Sequence, residues 1–189
     1  NLTDANTNTW TLTGGVTIYE GQVRLSNCSF TNARSEDALN LIRCNFEIDG
    51  ILIDKTYSDG FDADFCSGRL KNSVFQSTGN DCIDFSGSQI DIEACEIFDS
   101  GDKGISGGEH SILTVRNCSI NKASIGIASK DKSFVKVHRT SIESCDFAFA
   151  AYRKKAEFGP AKINVASSTL KNIKNTFLLD IDSEIKHLE

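Results

Sequence analysis

The stretch from Gly79 to Phe98, GNDCIDFSGSQIDIEACEIF, carries the pattern that decides the fold. It opens with a polar residue, then Asp81, then two small or apolar residues, and this opening recurs along the chain. The position of Asp81 is repeated at 37, 59, 81, 103, 125 and 147, so that each step is 22 residues. A fixed period of this length is typical of stacked structural repeats. We therefore expect each repeat to form one coil of a solenoid.

Apolar residues keep nearly the same period in two further rows. One row has steps of 22 or 23 and a last step of 28, at Phe30, Ile53, Phe75, Ile97, Ile120, Ile142 and Leu170. The other row comprises Ile48, Leu70, Ile92, Val115, Val137 and Val165. Within each repeat apolar and polar residues alternate, as half-buried strands require. The sequence thus predicts an all-β, right-handed, single-stranded parallel β-helix of about seven coils.

The repeat runs through most of the chain, which predicts a single β-helix domain over residues 1–189. The polar ends, 1–9 and 183–189, are expected to be terminal caps or tails. The long last step in the first apolar row, together with the only proline, indicates a loop insertion at 152–161. Because an uncapped β-helix exposes strand edges, we expect flanking domains of a longer chain.

Composition excludes some classes of function. The net charge of −6 argues against nucleic-acid binding, which needs a basic surface. The chain has no apolar run near 18 residues, so no membrane span is expected. Seven cysteines is an odd number, and their spacing does not fit a zinc site. We expect most of them to be small apolar core residues rather than a disulfide framework.

The outward face of one strand per coil is the candidate functional surface. If Phe61, Ile83 and Ile105 point inward, their neighbours point outward and form two rows. The rows are Asn40, Asp62, Asp84 and Ser106, and Asp37, Asp59, Asp81 and Lys103. Two stacked carboxylates repel by roughly 1 kcal/mol in water and by several at an effective dielectric constant near 20. This favours a bound cation, and Ca²⁺ suits oxygen ligands. Alternatively, each Asp before a small residue is a turn former.

The sign of the charge changes along this surface. Lys103 continues the row of Asp81, and Lys130 and Arg153 follow in later coils. Basic groups beside acidic ones suit an anionic polysaccharide bridged by cations, with Asp62, Asp84, Asp102, Lys130 and Arg153 as the predicted substrate-binding residues. The alternative is an ordinary solvated surface, on which such ion pairs contribute about 0–1 kcal/mol.

The repeats resemble those of the pectate-lyase-like β-helix superfamily, whose motif is visible in residues 80–97 and 102–120. In polygalacturonase-type members, an Asn-Thr-Asp, an Asp-Asp and a Gly-His-Gly motif follow one another by one coil. The corresponding segments here are Tyr57-Ser58-Asp59-Gly60, Gly79-Asn80-Asp81-Cys82 and Asp102-Lys103-Gly104. One carboxylate of the pair is an asparagine here, the histidine is a lysine, and no Arg-Ile-Lys motif follows.

The resemblance implies functional roles for these residues. It suggests Asp59, Asp81 and Lys103 as catalytic residues. By analogy with the lyases of the superfamily, Asp59, Asp62, Asp81 and Asp84 would hold Ca²⁺ and Lys103 would be the base. The implied function is a secreted or cell-surface protein that interacts with a polysaccharide, as a lyase or hydrolase relative acting on an acidic glycan. The motif departures keep open a second interpretation, a non-catalytic structural or carbohydrate-binding module, and a third, a truncated or engineered repeat without activity.

Overall fold

The computed structural model describes residues 5–7 and 10–188, with the side chains of 11–187. The described chain forms 23 strands. In chain order they are β1 (Ala5–Thr7), β2 (Trp10–Leu12), β3 (Gly14–Ser26), β4 (Ser29–Thr31), β5 (Asp37–Asp49), β6 (Leu52–Thr56), β7 (Asp59–Asp64), β8 (Ser67–Lys71), β9 (Val74–Thr78), β10 (Ile83–Ser86), β11 (Gln89–Glu93), β12 (Glu96–Ser100), β13 (Lys103–Gly108), β14 (Ile112–Arg116), β15 (Ser119–Asn121), β16 (Ile125–Lys130), β17 (Phe134–His138), β18 (Ser141–Glu143), β19 (Phe147–Tyr152), β20 (Lys162–Ala166), β21 (Thr169–Lys171), β22 (Asn175–Leu179) and β23 (Glu184–Leu188).

The strands stack in parallel on three faces. The first face contains β7, β10, β13, β16, β19 and β22, and the second contains β8, β11, β14, β17, β20 and β23. The long strands β3 and β5 turn the corner and contribute to both of these faces. The third face contains β4, β6, β9, β12, β15, β18 and β21. The predicted parallel β-helix is confirmed, with about eight turns rather than about seven.

The corners explain why certain residue types recur. At the corner between the first and second faces, Arg43, Phe65 and Gly87 have φ of 53°, 53° and 60°. At the next corner Asn72 and Asn117 have φ of 48° and 53°. Asparagine tolerates this left-handed conformation better than most residues do, because its short amide can hydrogen-bond locally. One left-handed residue, or two in the corners at Glu109–His110 and Asp131–Lys132, redirects the chain without a long loop.

The core is a column of stacked side chains inside the three faces. Phe61, Ile83, Ile105, Ile127 and Phe149 occupy equivalent positions on the first face and are fully buried. The two predicted apolar rows are also in register from coil to coil, on the third and second faces. The burial of these rows is the main source of stability, since a single coil has no interior of its own.

The cysteines follow the same rule. All seven are free thiols, six are buried and only Cys28 is half-buried. Burial raises the pKa of the Cys66 and Cys82 thiols to about 11. These cysteines therefore behave as small apolar residues of the stack.

The two ends of the chain contain strands, and the predicted insertion is a loop. Strands β1 and β2 pair antiparallel, and the rest of the first nine residues lies outside the described chain. The loop 153–161 joins β19 to β20, where the insertion 152–161 is predicted. Near the other end, residues 184–188 form β23, which pairs with β20 and so adds a strand to the last coil. No helix in the described part of the chain could cross a bilayer.

Candidate functional site: an acidic surface crossed by lysines

The first face carries a surface on which carboxylates lie beside two buried lysines. We call it the acid–lysine surface, and it consists of Asp37, Asn40, Asp59, Asp62, Asp64, Asp81, Asp84, Lys103, Ser106 and Lys130. The strand register stacks Asn40, Asp62, Asp84 and Ser106 in one row, as the repeat predicts. Stacking follows directly from the 22-residue period, because one period advances the chain by one coil.

A chain of hydrogen bonds joins Asp59, Asp81 and Lys103 across three coils. Oδ1 of Asp59 accepts from the backbone N–H of Asp81 at 2.9 Å and from Nδ2 of Asn80 at 2.7 Å. Oδ1 of Asp81 accepts in turn from the backbone N–H of Lys103 at 3.0 Å and from its ammonium at 3.3 Å. Each carboxylate therefore caps the strand of the next coil, which is a structural role for both.

Burial dominates the electrostatics of the Asp81–Lys103 pair. Asp81 is 2% exposed and Lys103 is 9% exposed. Burial raises the pKa of Asp81 to about 7, although the Lys103 ammonium opposes the rise. Burial by itself would lower the pKa of Lys103, but the attraction of Asp81 and Asp102 outweighs it and raises that pKa. Lys103 thus keeps its proton, which favours an ion-pairing role over that of a base.

Asn40 joins the first two carboxylates of the surface. Its Nδ2 donates to Oδ2 of Asp37 and to Oδ2 of Asp62, at 3.0 Å each. Oδ2 of Asp37 also accepts from the hydroxyl of Thr13 at 3.0 Å. Burial raises the pKa of Asp37 to about 6 against these bonds. Asp37 and Asn40 belong to the predicted outward rows, but they are not among the predicted catalytic, metal-binding or substrate-binding residues.

Burial and neighbouring carboxylates favour the protonated form of Asp62. Burial raises its pKa well above the usual value, and the carboxylates of Asp64, Asp37, Asp84 and Asp59 raise it further. Its one hydrogen-bond donor in the described structure is the neutral amide of Asn40. A half-buried carboxyl among other carboxylates and without a cation favours the neutral acid.

Asp84, one coil from Asp62, has a cation beside it. Nζ of Lys130 lies 3.3 Å from Oδ1 and 3.2 Å from Oδ2 of Asp84. Lys130 starts two coils away and passes over Gly108, where a Cβ would lie 3.4 Å from the Lys130 Cε. The ion pair is well protected, with 6% of the lysine side chain and 23% of the aspartate side chain exposed. Asp62 therefore lies among other carboxylates, whereas its neighbour Asp84 lies beside a cation.

The remaining predicted residues lie at the margin of the surface. Asp102 bonds the Lys103 ammonium and is half-buried. Arg153 is exposed on the loop 153–161, and its backbone N–H donates to Oδ2 of Asp180 at 2.7 Å. The structure therefore brings Asp59, Asp62, Asp81, Asp84, Asp102, Lys103 and Lys130 together on one face. Arg153 stands apart from them.

The loop 153–161 is tied to this face by residues that sequence reasoning missed. Asp131 is buried, and its Oδ1 accepts the backbone N–H groups of Lys154 and Lys155 at 2.7 Å each. The Lys155 ammonium pairs with Glu109, two coils away. Asp131 follows Lys130 directly in sequence and lies one period after Glu109, but the next equivalent positions are Gly87 and Arg153, so no continuous row of carboxylates marks it. Only the fold brings it under the loop.

Two buried polar atoms on the surface have no partner in the described structure. They are Oδ1 of Asn40 and the hydroxyl of Ser106. Both residues belong to the row that contains Asp62 and Asp84. An unpaired buried polar atom is costly, so these two atoms lower the stability of the fold locally.

The surroundings of the four carboxylates that are predicted to bind Ca²⁺ differ from those of a preformed metal site. Among residues 11–187, no three side chains of His, Cys, Asp or Glu converge as metal ligands do. Lysine ammonium groups lie against Asp81 and Asp84, two of the four predicted ligands. Asp59 and Asp62 bond neutral or backbone donors instead. Calcium binding by these four carboxylates stays a prediction, and it would require displacement of both lysines.

Residues 38–184 match the family model described as a right-handed beta helix region. A search of curated proteins finds none that is similar in sequence. Among solved structures, the catalytic domain of a GH87 alpha-1,3-glucanase in complex with nigerose is similar at 11% identity with a TM-score of 0.33. A variant of that domain in complex with tetrasaccharides gives 10% identity and a TM-score of 0.35.

Both alignments cover 93% of this chain and 48% of the other chain. The chain thus spans about half the length of these solved domains. At this identity the likeness concerns the fold alone, and it carries no argument about a site or a substrate.

Proposed function

We propose, on the premise that this chain belongs to the right-handed beta helix family, that its acid–lysine surface binds a polysaccharide and cleaves it by acid–base chemistry. The observation that carries the proposal is the contrast between Asp62 and Asp84. They are register neighbours on adjacent strands. The carboxyl of Asp62 has a strongly raised pKa, whereas Asp84 is paired with the Lys130 ammonium. A protonated acid beside an ionised carboxylate is what glycoside cleavage requires.

The chemical roles follow from these environments. Asp62 donates its proton to the glycosidic oxygen as the bond from that oxygen to the sugar carbon breaks. The Asp84 carboxylate attacks the same carbon and forms a glycosyl ester. Asp62, now ionised, takes a proton from water, and the resulting hydroxide releases the sugar from Asp84. Neighbouring strands are about 4.8 Å apart, close to the roughly 5–5.5 Å between carboxyls in retaining enzymes.

The groups at and beside the acid–lysine surface favour an acidic glycan as the substrate class. Asp62 and Asp84 are half-buried, so their carboxyl oxygens can accept hydrogen bonds from sugar hydroxyl groups at the surface. The Lys155 ammonium is close enough to oppose the raised pKa of Asp64, and a basic group at the margin of the acidic surface supports an acidic glycan, whose carboxylates it would contact. A polysaccharide substrate fits a protein that acts outside the cytoplasm, at a cell surface or after secretion.

A second candidate function is a polysaccharide-binding module without catalysis. The specific observation in its favour is the burial of Asp81 and Lys103, both implied as catalytic by the resemblance. A substrate cannot contact these side chains without their displacement, and their bonds to the next strand show a structural use. In this function the surface recognises sugar hydroxyls through the half-buried Asp62 and Asp84 and performs no chemistry.

One experiment separates these functions. The chain is incubated with polygalacturonate, alginate, chondroitin and xylan, with and without Ca²⁺. New reducing ends report hydrolysis, and unsaturated uronate absorbance reports lyase action. For the proposed hydrolysis, we expect reducing ends without absorbance, and a rate about 10²–10⁴-fold lower in Asp62→Asn. Asp99→Asn, on the third face, is the matched control and should retain full activity.

Two outcomes would contradict catalysis by this surface. One is the release of no product from any polymer in the panel. The other is release by Asp62→Asn at the wild-type rate. A calcium-dependent rise in absorbance would replace the hydrolase by a lyase and restore the four carboxylates as candidate calcium ligands.

A further inference from the structure

The second face carries a groove that no part of the proposed reaction uses. It has a volume of about 570 Å³ and crosses strands β5, β8, β11, β14 and β17. Four steps between neighbouring strands make it roughly 20 Å long, parallel to the axis of the helix. The acid–lysine surface contributes none of its lining residues. It is therefore a separate feature of the molecule.

One side of the groove is a row of uncharged polar groups. Asn45, Ser67 and Gln89 stand in register on three successive coils, and all three are exposed. Nδ2 of Asn45 donates to the hydroxyl of Ser67 at 2.9 Å, which leaves the Asn45 carbonyl free to accept. The Gln89 amide has no hydrogen-bond partner within the described chain. Such groups can each donate to and accept from a ligand hydroxyl.

A second row beside the first alternates in charge. It contains Glu47, Arg69, Asp91, Thr114 and Lys136 on five successive coils, two acids and two bases, so the row has no net charge. Glu47 pairs with Arg24 at 3.8 Å, and Asp91 pairs with Arg116 at 3.9 Å, both outside the groove. Within the described residues, Arg69 and Lys136 have no ion-pair partner. The two ion pairs of the acids are long and exposed, so Glu47 and Asp91 still balance the charges of Arg69 and Lys136, whose donors are free to bond a ligand.

The next two positions of the first row are apolar. Ile112 follows Gln89 in register and is 46% exposed, and Phe134 follows Ile112. The Lys136 ammonium lies 5.3 Å from the centre of the Phe134 ring. The exposed Ile112 and the half-buried Phe134, at the end of a polar row, match a ligand with both hydroxyl groups and flat C–H faces, for which aromatic side chains are favourable partners.

We propose that this groove binds an uncharged polysaccharide chain lying parallel to the helix axis. A pyranose unit advances such a chain by about the spacing of the coils, roughly 4.8 Å, so each coil can contact one sugar. Asn45, Ser67, Gln89 and Arg69 bond the hydroxyl groups, and Ile112 with Phe134 supports a ring face. An acidic polymer gains nothing here because Glu47 and Asp91 flank Arg69. The site does not depend on the proposed reaction.

Affinity electrophoresis of the whole chain tests the groove. Native gels contain hydroxyethylcellulose, xylan, dextran or polygalacturonate as the probe. We expect at least one of the three neutral polymers to retard the chain, and about 0.5 M NaCl to leave the retardation in place, because screening weakens ionic contacts selectively. The double variant Arg69→Ala/Gln89→Ala removes two exposed side chains of the groove, and circular dichroism checks that it folds. Its binding to the neutral polymer should be about tenfold weaker.

The controls separate this site from the proposed reaction. Lys55→Ala changes an exposed lysine elsewhere, and Asp62→Asn changes the acid–lysine surface; both should be retarded as the wild type is. The inference is overturned if no neutral polymer retards the chain, if only polygalacturonate does, or if the double variant is retarded equally. It is also overturned if only Asp62→Asn abolishes retardation, which would place the polymer on the first face. If Asp62→Asn keeps its hydrolytic activity, the proposed reaction is wrong, but the inferred binding of a polysaccharide in the groove still stands.

Discussion

The ammonium of Lys130 reaches over two coils to lie 3.2 Å from Oδ2 of Asp84. The two residues are 46 positions apart, and the lysine side chain crosses the surface above Gly108. This contact gives Asp84 a cation that its register neighbour Asp62 lacks. The same contact ties together three coils through side chains alone.

Loss of this contact is expected to destabilise the fold. Lys130→Met keeps the aliphatic stem over Gly108 but leaves Asp84 without its cation. We expect the free energy of unfolding to fall by roughly 1–3 kcal/mol, the usual cost of removing one partner of a protected charged hydrogen bond. Urea unfolding measures it. Lys174→Met removes a similar but exposed pair with Asp146, and should cost less than about 1 kcal/mol. Equal effects of the two variants would contradict the distinction.

The buried pair of Asp81 and Lys103 predicts strong coupling. Lys103→Met leaves the buried Asp81 carboxylate uncompensated, and we expect a loss of roughly 3–5 kcal/mol near pH 8. Adding Asp81→Asn to Lys103→Met removes the unpaired buried charge and should recover a large part of the lost free energy of unfolding. Urea unfolding of the single and double variants gives the coupling energy. Additive losses in the double variant would show that the ion pair does not link the two residues.

The raised carboxyl pKa values predict that stability falls as pH rises. The pKa of Asp37 is about 6 and that of Asp81 about 7 in the fold, against a usual value of 3.8. The folded chain therefore binds more protons than the unfolded chain between pH 4 and these values, and its free energy of unfolding decreases across that range. The stabilisation is complete below about pH 4 and is lost as pH rises through the folded pKa.

Asp62 should contribute to this slope, because its folded pKa is raised well above 3.8. Asp62→Asn removes its titration, so thermal melting between pH 4 and 8 should fall less steeply in this variant than in the wild type. Asp99→Asn, on the third face, is the comparison variant for an Asp-to-Asn change outside the acid–lysine surface. Parallel curves for Asp62→Asn and the wild type would show that Asp62 titrates alike in the folded and unfolded chain.

The loop 153–161 should open when its anchor is removed. Asp131→Ala deletes the acceptor of two backbone N–H groups of the loop. We expect trypsin to cleave after Lys154 and Lys155 about tenfold faster, because the loss of charged hydrogen bonds raises the population of the open loop. Mass spectrometry locates the cuts. Cleavage after Lys136, inside β17, should stay slow. An unchanged loop rate would mean that the Lys155–Glu109 ion pair and the contact between the Phe158 and His110 rings hold the loop without Asp131.

The cysteines predict a simple thiol titration. Only Cys28 is half-buried, and six of the seven thiols are buried. Ellman's reagent should therefore titrate about one thiol in the native chain and all seven in urea. Reductant should leave the melting temperature unchanged. Fewer than seven thiols in urea without reductant would reveal a disulfide and contradict the free-thiol structure.

The sequence by itself determined the stacking, because every coil must bury the same inward positions and the period of 22 residues keeps them in phase. It therefore predicted the apolar rows of Ile83 and Ile97 and the outward rows of Asp62 and Asp81. It could not determine which outward residues are buried. A row specifies the direction of a side chain, whereas the burial of Lys103 and Ser106 depends on neighbours from several coils.

Only the tertiary structure decided the partners that cross more than one coil. Lys130 with Asp84, Lys155 with Glu109 and Asp131 with the loop 153–161 join residues that no repeat aligns. Their pairing depends on side-chain length, on the open space above Gly108 and on the path of one inserted loop. A periodic sequence encodes contacts between equivalent positions, and contacts between unequal positions exist only once the coils have stacked.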